Sequence, residues 1–181
     1  MTDIIFSSIT IDLKTAVETK THPFRYFTLA TSDFNSIPRL RTVVLRDVDD
    51  DLNMIVYTDE RSKKIANIQA NNRVSLLFYD QERLLQITIK AKAEIITDHE
   101  TIQQIWKQIP EKFRKDYSTE LSPGIEIKNP DKVDYLEGKH FFSAIKIIPM
   151  RIEYLRLKRP NHVRVIFKKE NRNWKGTYIV P

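Results

Sequence analysis

The sequence predicts a mainly β protein, a β-barrel with peripheral α-helices, and three observations carry that prediction. Leu85-Gln86-Ile87-Thr88-Ile89-Lys90-Ala91-Lys92-Ala93-Glu94-Ile95 alternates without a break, as a strand with one buried and one polar face must. Runs rich in β-branched and aromatic residues recur along the chain. Short stretches with helical periodicity fall between them, and consecutive antiparallel strands with helices tucked among them close most simply into a barrel. The 181 residues suit one domain spanning 1–181, with neither an internal repeat nor a linker to divide it.

In chain order, Ser8 is the expected cap of a first helix, with Ile9, Leu13, Ala16 and Val17 on one face and its end near His22-Pro23. Phe24 to Thr31 reads as a strand, and the polar turn Ser32-Asp33-Phe34-Asn35-Ser36 joins it as a hairpin to a second strand over Arg39 to Arg46. That strand is expected to form a further hairpin with Met54 to Thr58 across the acidic turn Asp49-Asp50-Asp51. Ser62 to Ala70 is a short helix with Ile65 and Ile68 inward, and Val74 to Tyr79 a strand. After the alternating strand, Thr97-Asp98-His99-Glu100 has capping-box spacing, and Ile102, Ile105, Trp106 and Ile109 make an apolar helical stripe ending at Pro110. Trp106 reads as core rather than as a cofactor contact. From Tyr117 to Lys139 the pattern dissolves into a long loop. Strands over Phe141 to Leu157, Val163 to Lys168 and Trp174 to Val180 close the chain.

Composition limits the function. Hydrophobic residues are 41% of the chain and charged residues 30%, values of a globular protein and far from disorder. There are only three glycines and neither a GxGxxG nor a GxxxxGK[ST] pattern, which argues against a glycine-rich phosphate loop. The formal charge of +6 favours an anionic partner. Cysteine is absent, which excludes disulfides and thiolate metal sites, and the four histidines show no paired ligand spacing, so no metal is expected. No apolar run approaches about 18 residues and no basic segment leads into one near Met1, so a cytoplasmic protein without a membrane partner is expected.

The chemistry concentrates between Arg39 and Lys64. Arg41 and Arg46 bracket one strand candidate, and Lys63 and Lys64 open the following helix. The first turn of a helix carries unpaired N–H groups and a partial positive charge, so lysines there are disfavoured unless an anion binds. Each cation alone is an ordinary solvated charge. Grouped on adjacent elements, Arg41, Arg46, Lys63 and Lys64 are expected to converge on one dianion such as a phosphate.

Ordered blocks then resemble a known family. Arg41-Thr42-Val43-Val44-Leu45-Arg46, Tyr57-Thr58, Ser62-Lys63-Lys64, Asn71-Asn72-Arg73-Val74-Ser75-Leu76-Leu77-Phe78, Gln86 and Ala91-Lys92-Ala93-Glu94 resemble pyridoxamine 5′-phosphate oxidase and its FMN-binding split-barrel relatives. The likeness covers residues 20 to 95 well. It continues through Arg151-Ile152-Glu153-Tyr154, His162-Val163-Arg164, Lys169-Glu170-Asn171, Trp174 and Pro181. The resemblance implies an FMN-binding split barrel and a homodimer with FMN at the subunit interface. Arg41, Thr42, Val43, Val44, Leu45 and Arg46 would lie along the flavin and its phosphate, with Tyr57 and Thr58 in contact. Ser62, Lys63 and Lys64 would hold the phosphate, Gln86 would reach the flavin from the other subunit, and Arg164 matches a late cofactor arginine. Arg46, Arg159 and His162 become candidates for a small, possibly phosphorylated substrate.

Four departures separate the chain from the authentic oxidase, one of them being Tyr178-Ile179-Val180-Pro181 where that enzyme ends in Arg-Leu-Ala-Pro. Leu155 stands where that enzyme has a tryptophan, Pro160 where it has a basic residue, with Arg159 displaced by one, and Ile105 to Lys115 offers no match to the group that grips the substrate phosphate. The expected function is therefore an FMN-binding oxidoreductase related to the oxidase. The alternatives are an FMN carrier or sensor without turnover and a nucleic-acid-binding barrel, the latter prompted by the +6 charge and the basic and aromatic residues of Tyr154 to Phe167. The ordered flavin blocks would be coincidence in that last case, so no nucleic acid is expected as partner.

Overall fold

The alternating segment forms the central strand it predicts, and the sheet is built outward from it. The computed structural model describes residues 1–171 and 173–181. The strands are β1 (Tyr26–Ser32), β2 (Pro38–Val44), β3 (Asp47–Val48), β4 (Met54–Asp59), β5 (Arg73–Asp80), β6 (Leu85–Ile95), β7 (Phe142–Arg156), β8 (Val163–Glu170) and β9 (Asn173–Ile179). Among them lie helices α1 (Thr2–Glu18), α2 (Lys63–Ala70), α3 (His99–Gln108) and α4 (Glu111–Arg114). The nine-stranded sheet runs β2-β1-β5-β6-β7-β4-β3, with β8 and β9 added on β7. All pairings are antiparallel, the mainly β split-barrel class.

β7 is the strand both halves share. Its first residues pair with β4, from Asp59↔Phe142 to Met54↔Ile147, and its last with β8, from Arg151↔Lys168 to Arg156↔Val163, while β6 runs along nearly its whole length. Two buried clusters result. The larger holds Ile9, Leu13, Leu29, Val56, Leu76, Phe78, Ile89, Ile147 and Phe167. The smaller holds Ile109, Tyr117, Phe142 and Ala144, with Tyr57 and Trp106 packed on it, which bears out Trp106 as packing.

Several expectations are corrected. The first helix starts at Thr2, with Ser8 inside it, because Ile5 and Phe6 extend the apolar stripe N-terminal of Ile9 and pack on the core. It ends at Glu18 rather than at His22-Pro23. There Pro23–Arg25 forms a 3-10 turn whose Phe24 N–H donates to His22 Nδ1 at 3.1 Å, so β1 begins only at Tyr26. The cap of α3 is Asp98, which accepts from the Thr101 N–H at 2.8 Å, rather than Thr97.

The largest correction concerns the hairpin expected between Arg39–Arg46 and Met54–Thr58. β2 instead pairs with β1 over its whole length, and β4 pairs with the two-residue β3 and with β7. The chain changes partner between adjacent residues, since the Leu45 N–H donates to Arg25 O and the Arg46 N–H to Ile55 O, both at 2.9 Å. That switch brings the two ends of the sheet together, and Arg46, an odd number of residues from Arg41, faces the opposite side.

α1 lies against β9, and Gly176 permits the approach: a Cβ there would stand 2.6 Å from Phe167 Cε1 and 2.7 Å from Thr2 Cβ. Gly176→Ala should therefore destabilise the fold by about 1–3 kcal/mol, the usual range for overpacking. Urea denaturation checks this, and a change within about 0.5 kcal/mol would show that the helix end yields freely.

Candidate functional site

The segment rich in cations divides between the two faces of β4. On one face, Arg41 comes from β2 and Lys64 from the first turn of α2, and both rest on hydroxyls. Arg41 Nη1 donates to Thr31 Oγ1 at 2.7 Å and to Leu29 O at 3.3 Å. Lys64 Nζ donates to Thr58 Oγ1 at 2.7 Å, and that hydroxyl lies 3.1 Å from Ser62 Oγ. Asn67, one turn along α2, donates Nδ2 to Thr31 Oγ1 at 3.1 Å. Thr31, Thr58, Ser62 and Asn67 are all buried.

No free carboxylate joins this cluster among the described residues. The nearest, Asp59, is bound by Arg61 through Nε at 3.0 Å and Nη2 at 2.7 Å. Burial pushes the Lys64 ammonium below its ordinary range, the charge of Arg41 pushes it further, and Asp59 opposes both. Burial likewise lowers Arg41. Two like charges held together on neutral acceptors form a site that an anion stabilises.

Arg61 also fixes the long loop beside this cluster. Its Nη1 donates to Glu120 O and its Nη2 to Thr119 O, both at 2.9 Å, and its guanidinium stacks 3.4 Å over the Phe141 ring. The segment expected as an open loop is thus tied to the β4–α2 turn and carries a short bridge of its own, Thr119 to Tyr135.

Lys63 and Arg46 do not converge with Arg41 and Lys64, which corrects the expectation of four cations around one dianion. Lys63 is exposed, because α2 buries Ile65 and Ile68 and thereby turns Lys63 outward. Arg46 lies on the other face of β4, 5.3 Å over the Tyr57 ring, in a cavity of about 190 Å3 lined also by Arg25, Ile109, Phe113 and Tyr117. Its Nε is buried with no partner among the described residues. Burial pushes the Tyr57 and Tyr117 phenols up, while Arg46 opposes that rise.

Of the rest of the segment, Thr42 is exposed, Val44 half-buried, and Val43 and Leu45 belong to the core. The outer edge of β2 pairs with no strand among the described residues, which leaves its backbone groups available.

Gln86 and Arg164 belong elsewhere. In the register Tyr79↔Gln86↔Leu155↔Arg164 they share a row on the outer face of the sheet. Arg41 sits in the row Arg41↔Leu29↔Leu76↔Ile89, and since Gln86 and Ile89 are an odd number of residues apart, the two rows face opposite sides. Arg164 donates Nε and Nη2 to Glu153 Oε1 at 2.9 and 2.6 Å. Arg159 and His162 are exposed in the turn after β7, where the Lys158 N–H donates to His162 Nδ1 at 3.2 Å. The Ala144 end of β7, which pairs with Tyr57, is separated from that turn by roughly 40 Å of strand contour at about 3.3 Å per residue. The expected site residues therefore fall into two separate groups within one chain, which would be the half-sites of a shared site.

Sequence reasoning missed Thr31, Asn67, Arg25, Arg61 and Tyr117. Asn67 had a signal, a polar residue beside Ile68 on the buried side of a short helix, whereas the others depend on partners far along the chain.

The fold is thus an antiparallel split barrel with two cations gathered beside a strand-to-helix turn. The family model described as pyridoxamine 5′-phosphate oxidase matches residues 13–155, and the chain belongs to that family. Among its relatives, the pyridoxine/pyridoxamine 5′-phosphate oxidase of Vibrio cholerae O395 is 26% identical over 166 residues, 85% of this chain and 78% of that one. The enzyme of the same name from Escherichia fergusonii is 25% identical over 93% of this chain and 83% of its own. Among solved structures, a pyridoxamine 5′-phosphate oxidase-related, FMN binding protein from Nostoc punctiforme superposes with a TM-score of 0.78 at 21% identity, covering 97% of this chain and 96% of that one. PhzG from Burkholderia lata, in complex with tetrahydrophenazine-1-carboxylic acid, gives 0.77 at 18% identity, covering 97% and 92%. These two share the fold.

The charge pair has a measurable cost to the empty protein. The folded state lowers the Lys64 pKa, so its charged form is penalised below that folded value, and stability rises as pH climbs through it toward the unfolded value. Lys64→Met should therefore stabilise the ligand-free protein at pH 7, by on the order of 1 kcal/mol, and the gain should shrink in the alkaline range. Denaturant melts across pH check this. A loss of stability at pH 7 would show that the ammonium is fully compensated within the chain.

Proposed function

We propose that the protein binds FMN between two copies of itself and uses it in an oxidoreductase reaction on a small anionic substrate. The observation that carries this is the pair Arg41 and Lys64, seated on Thr31 and Thr58 with no free carboxylate beside them. A phosphate near −2 fits two such cations, and Arg41 can present two further N–H groups to it. The free edge of β2 offers backbone donors and acceptors to a flavin ring, and Tyr57 and Thr58 end the adjoining strand. A bound flavin would accept a hydride, and the residues of the chain supply position and charge.

The two half-sites support the dimer. Gln86 and Arg164 face away from Arg41 within one chain, so a shared site needs a second copy whose outer face supplies them. That face also exposes Leu77 and Tyr79, apolar surface suited to a two-fold contact. Sedimentation of the flavin-loaded protein should show a dimer, and a flavin-loaded monomer would refute the shared site.

The substrate side is altered relative to the oxidase. Leu155 replaces an aromatic between Gln86 and Arg164, and Arg159 and His162 stand in an exposed turn. Oxidation of pyridoxamine 5′-phosphate should accordingly be slow, well below about 1 s⁻¹, while another small anion is the true substrate. Peroxide production from pyridoxamine 5′-phosphate at ordinary enzymatic rates would overturn that part. Bleaching of the flavin absorption in the dark by candidate substrates separates an enzyme from a carrier that holds FMN without turnover.

Lys64→Ala should weaken FMN by about tenfold to a hundredfold, since a charged hydrogen bond contributes about 1.5–3 kcal/mol, and should leave riboflavin within about twofold. Lys63→Ala, at an exposed position, should act more weakly. Fluorescence titration with both ligands measures this, and equal losses for FMN and riboflavin in the Lys64 variant would place the lysine away from the phosphate.

A further inference from the structure

The hydroxyl of Thr31 has two lone pairs, and both are taken by donors, Arg41 Nη1 at 2.7 Å and Asn67 Nδ2 at 3.1 Å. Thr31 is 3% exposed and Asn67 5%, so water cannot replace either contact without rearrangement. Asn67 lies three residues after Lys64 on α2. The helix that carries one cation thus also carries, one turn on, the amide that reaches the other cation through a single hydroxyl.

We infer that Asn67 is a positioning residue for phosphate recognition, holding Thr31 so that it fixes the rotation of the Arg41 guanidinium and thereby makes the site prefer FMN over riboflavin. Nη1 is anchored on Thr31 Oγ1 and Leu29 O, whereas Nε and Nη2 have no partner among the described residues and are left for the anion. Without the amide, Thr31 can rotate about χ1 and the guanidinium loses one of its two anchors. A planar fork that is not held in register makes one good hydrogen bond to a phosphate rather than two. Asn67 also sets the spacing of the two cations, since α2 cannot shift along its axis without breaking either the contact of Lys64 with Thr58 or its own contact with Thr31.

This inference rests on the FMN reading above, and its test separates the two. FMN and riboflavin affinities are measured for the wild type, Asn67→Leu, Thr31→Val and Thr31→Ser, together with melting temperatures. In the wild type FMN should bind the more tightly. Asn67→Leu and Thr31→Val should each cut the FMN-to-riboflavin affinity ratio by about tenfold while riboflavin affinity stays within about twofold. Thr31→Ser, which keeps the hydroxyl, should retain the wild-type ratio. Should Asn67→Leu fail to fold, the valine and serine variants carry the comparison. A wild-type preference for FMN that persists unchanged in Asn67→Leu, or in Thr31→Val where only that variant folds, overturns the positioning role alone. So does a parallel loss of both flavins, which marks a merely structural contact. Equal wild-type affinities for the two flavins overturn both the inference and the phosphate site beneath it.

Discussion

Two cations held close together in a half-buried place, with hydroxyls rather than carboxylates beneath them, are the constraint on which the rest of the structure depends. Like charges near each other repel in such surroundings, and the charge of Arg41 pushes the Lys64 ammonium down accordingly. A chain free to relax would separate Arg41 and Lys64 or pair each with an acid. Here neither happens. Arg41 is fixed by the β1–β2 register, Lys64 by an α2 whose Ile65 and Ile68 are buried, and Asp59, the acid that acts on Lys64 among the described residues, is occupied by Arg61. The sheet and the helix over-determine this arrangement, and it suits the anion-binding role proposed for the pair.

The sheet also keeps the expected site residues apart within one chain. β7 pairs with β4 at its start and with β8 at its end, so the residues that gather at those two ends lie far apart and on different faces. Arg41, Lys64, Thr58 and Arg46 collect near the β4 end, while Gln86, Leu155 and Arg164 form a row near the other. In the proposed dimer, a two-fold contact would bring the second group of one copy to the first group of its partner without any change of fold. The loop from Tyr117 to Lys139 is pinned by Arg61 to the turn between β4 and α2.

Much of this was legible in the sequence, and the limits have physical causes. Leu85 to Ile95 forms a strand with those same bounds because one face is wholly apolar, and α2 follows from Ile65 and Ile68 at helical spacing. The pairing of β2 was misread because adjacency along the chain favours a hairpin with the next strand, whereas the switch between Leu45 and Arg46 depends on Arg25 and Ile55, which local pattern does not connect. Ser8 looked like a cap because serine just before Ile9 is a common helix start, although Ile5 and Phe6 stand at helical spacing from Ile9 and Phe6 packs on Phe167 and Trp174. In the site, charge type and grouping pointed to an anion. Which cations share a face could not be read, since it follows from β4 burying Thr58 toward one cluster and Tyr57 toward the other. Thr31 and Asn67 carried no charge and drew no notice, although they hold the arginine.

In the reading proposed for this chain, its own residues give the flavin site particular electrostatics: an arginine and a lysine whose charges a dianion would answer. The most direct test is the phosphorus resonance of bound FMN followed as pH is lowered. The free phosphate takes up its second proton near pH 6. Between Arg41 and Lys64 it should stay doubly charged well below that value, because protonation would leave both cations facing each other again. A bound phosphate that titrates as it does in free solution would contradict the account, since it would mean that the two cations do not meet it.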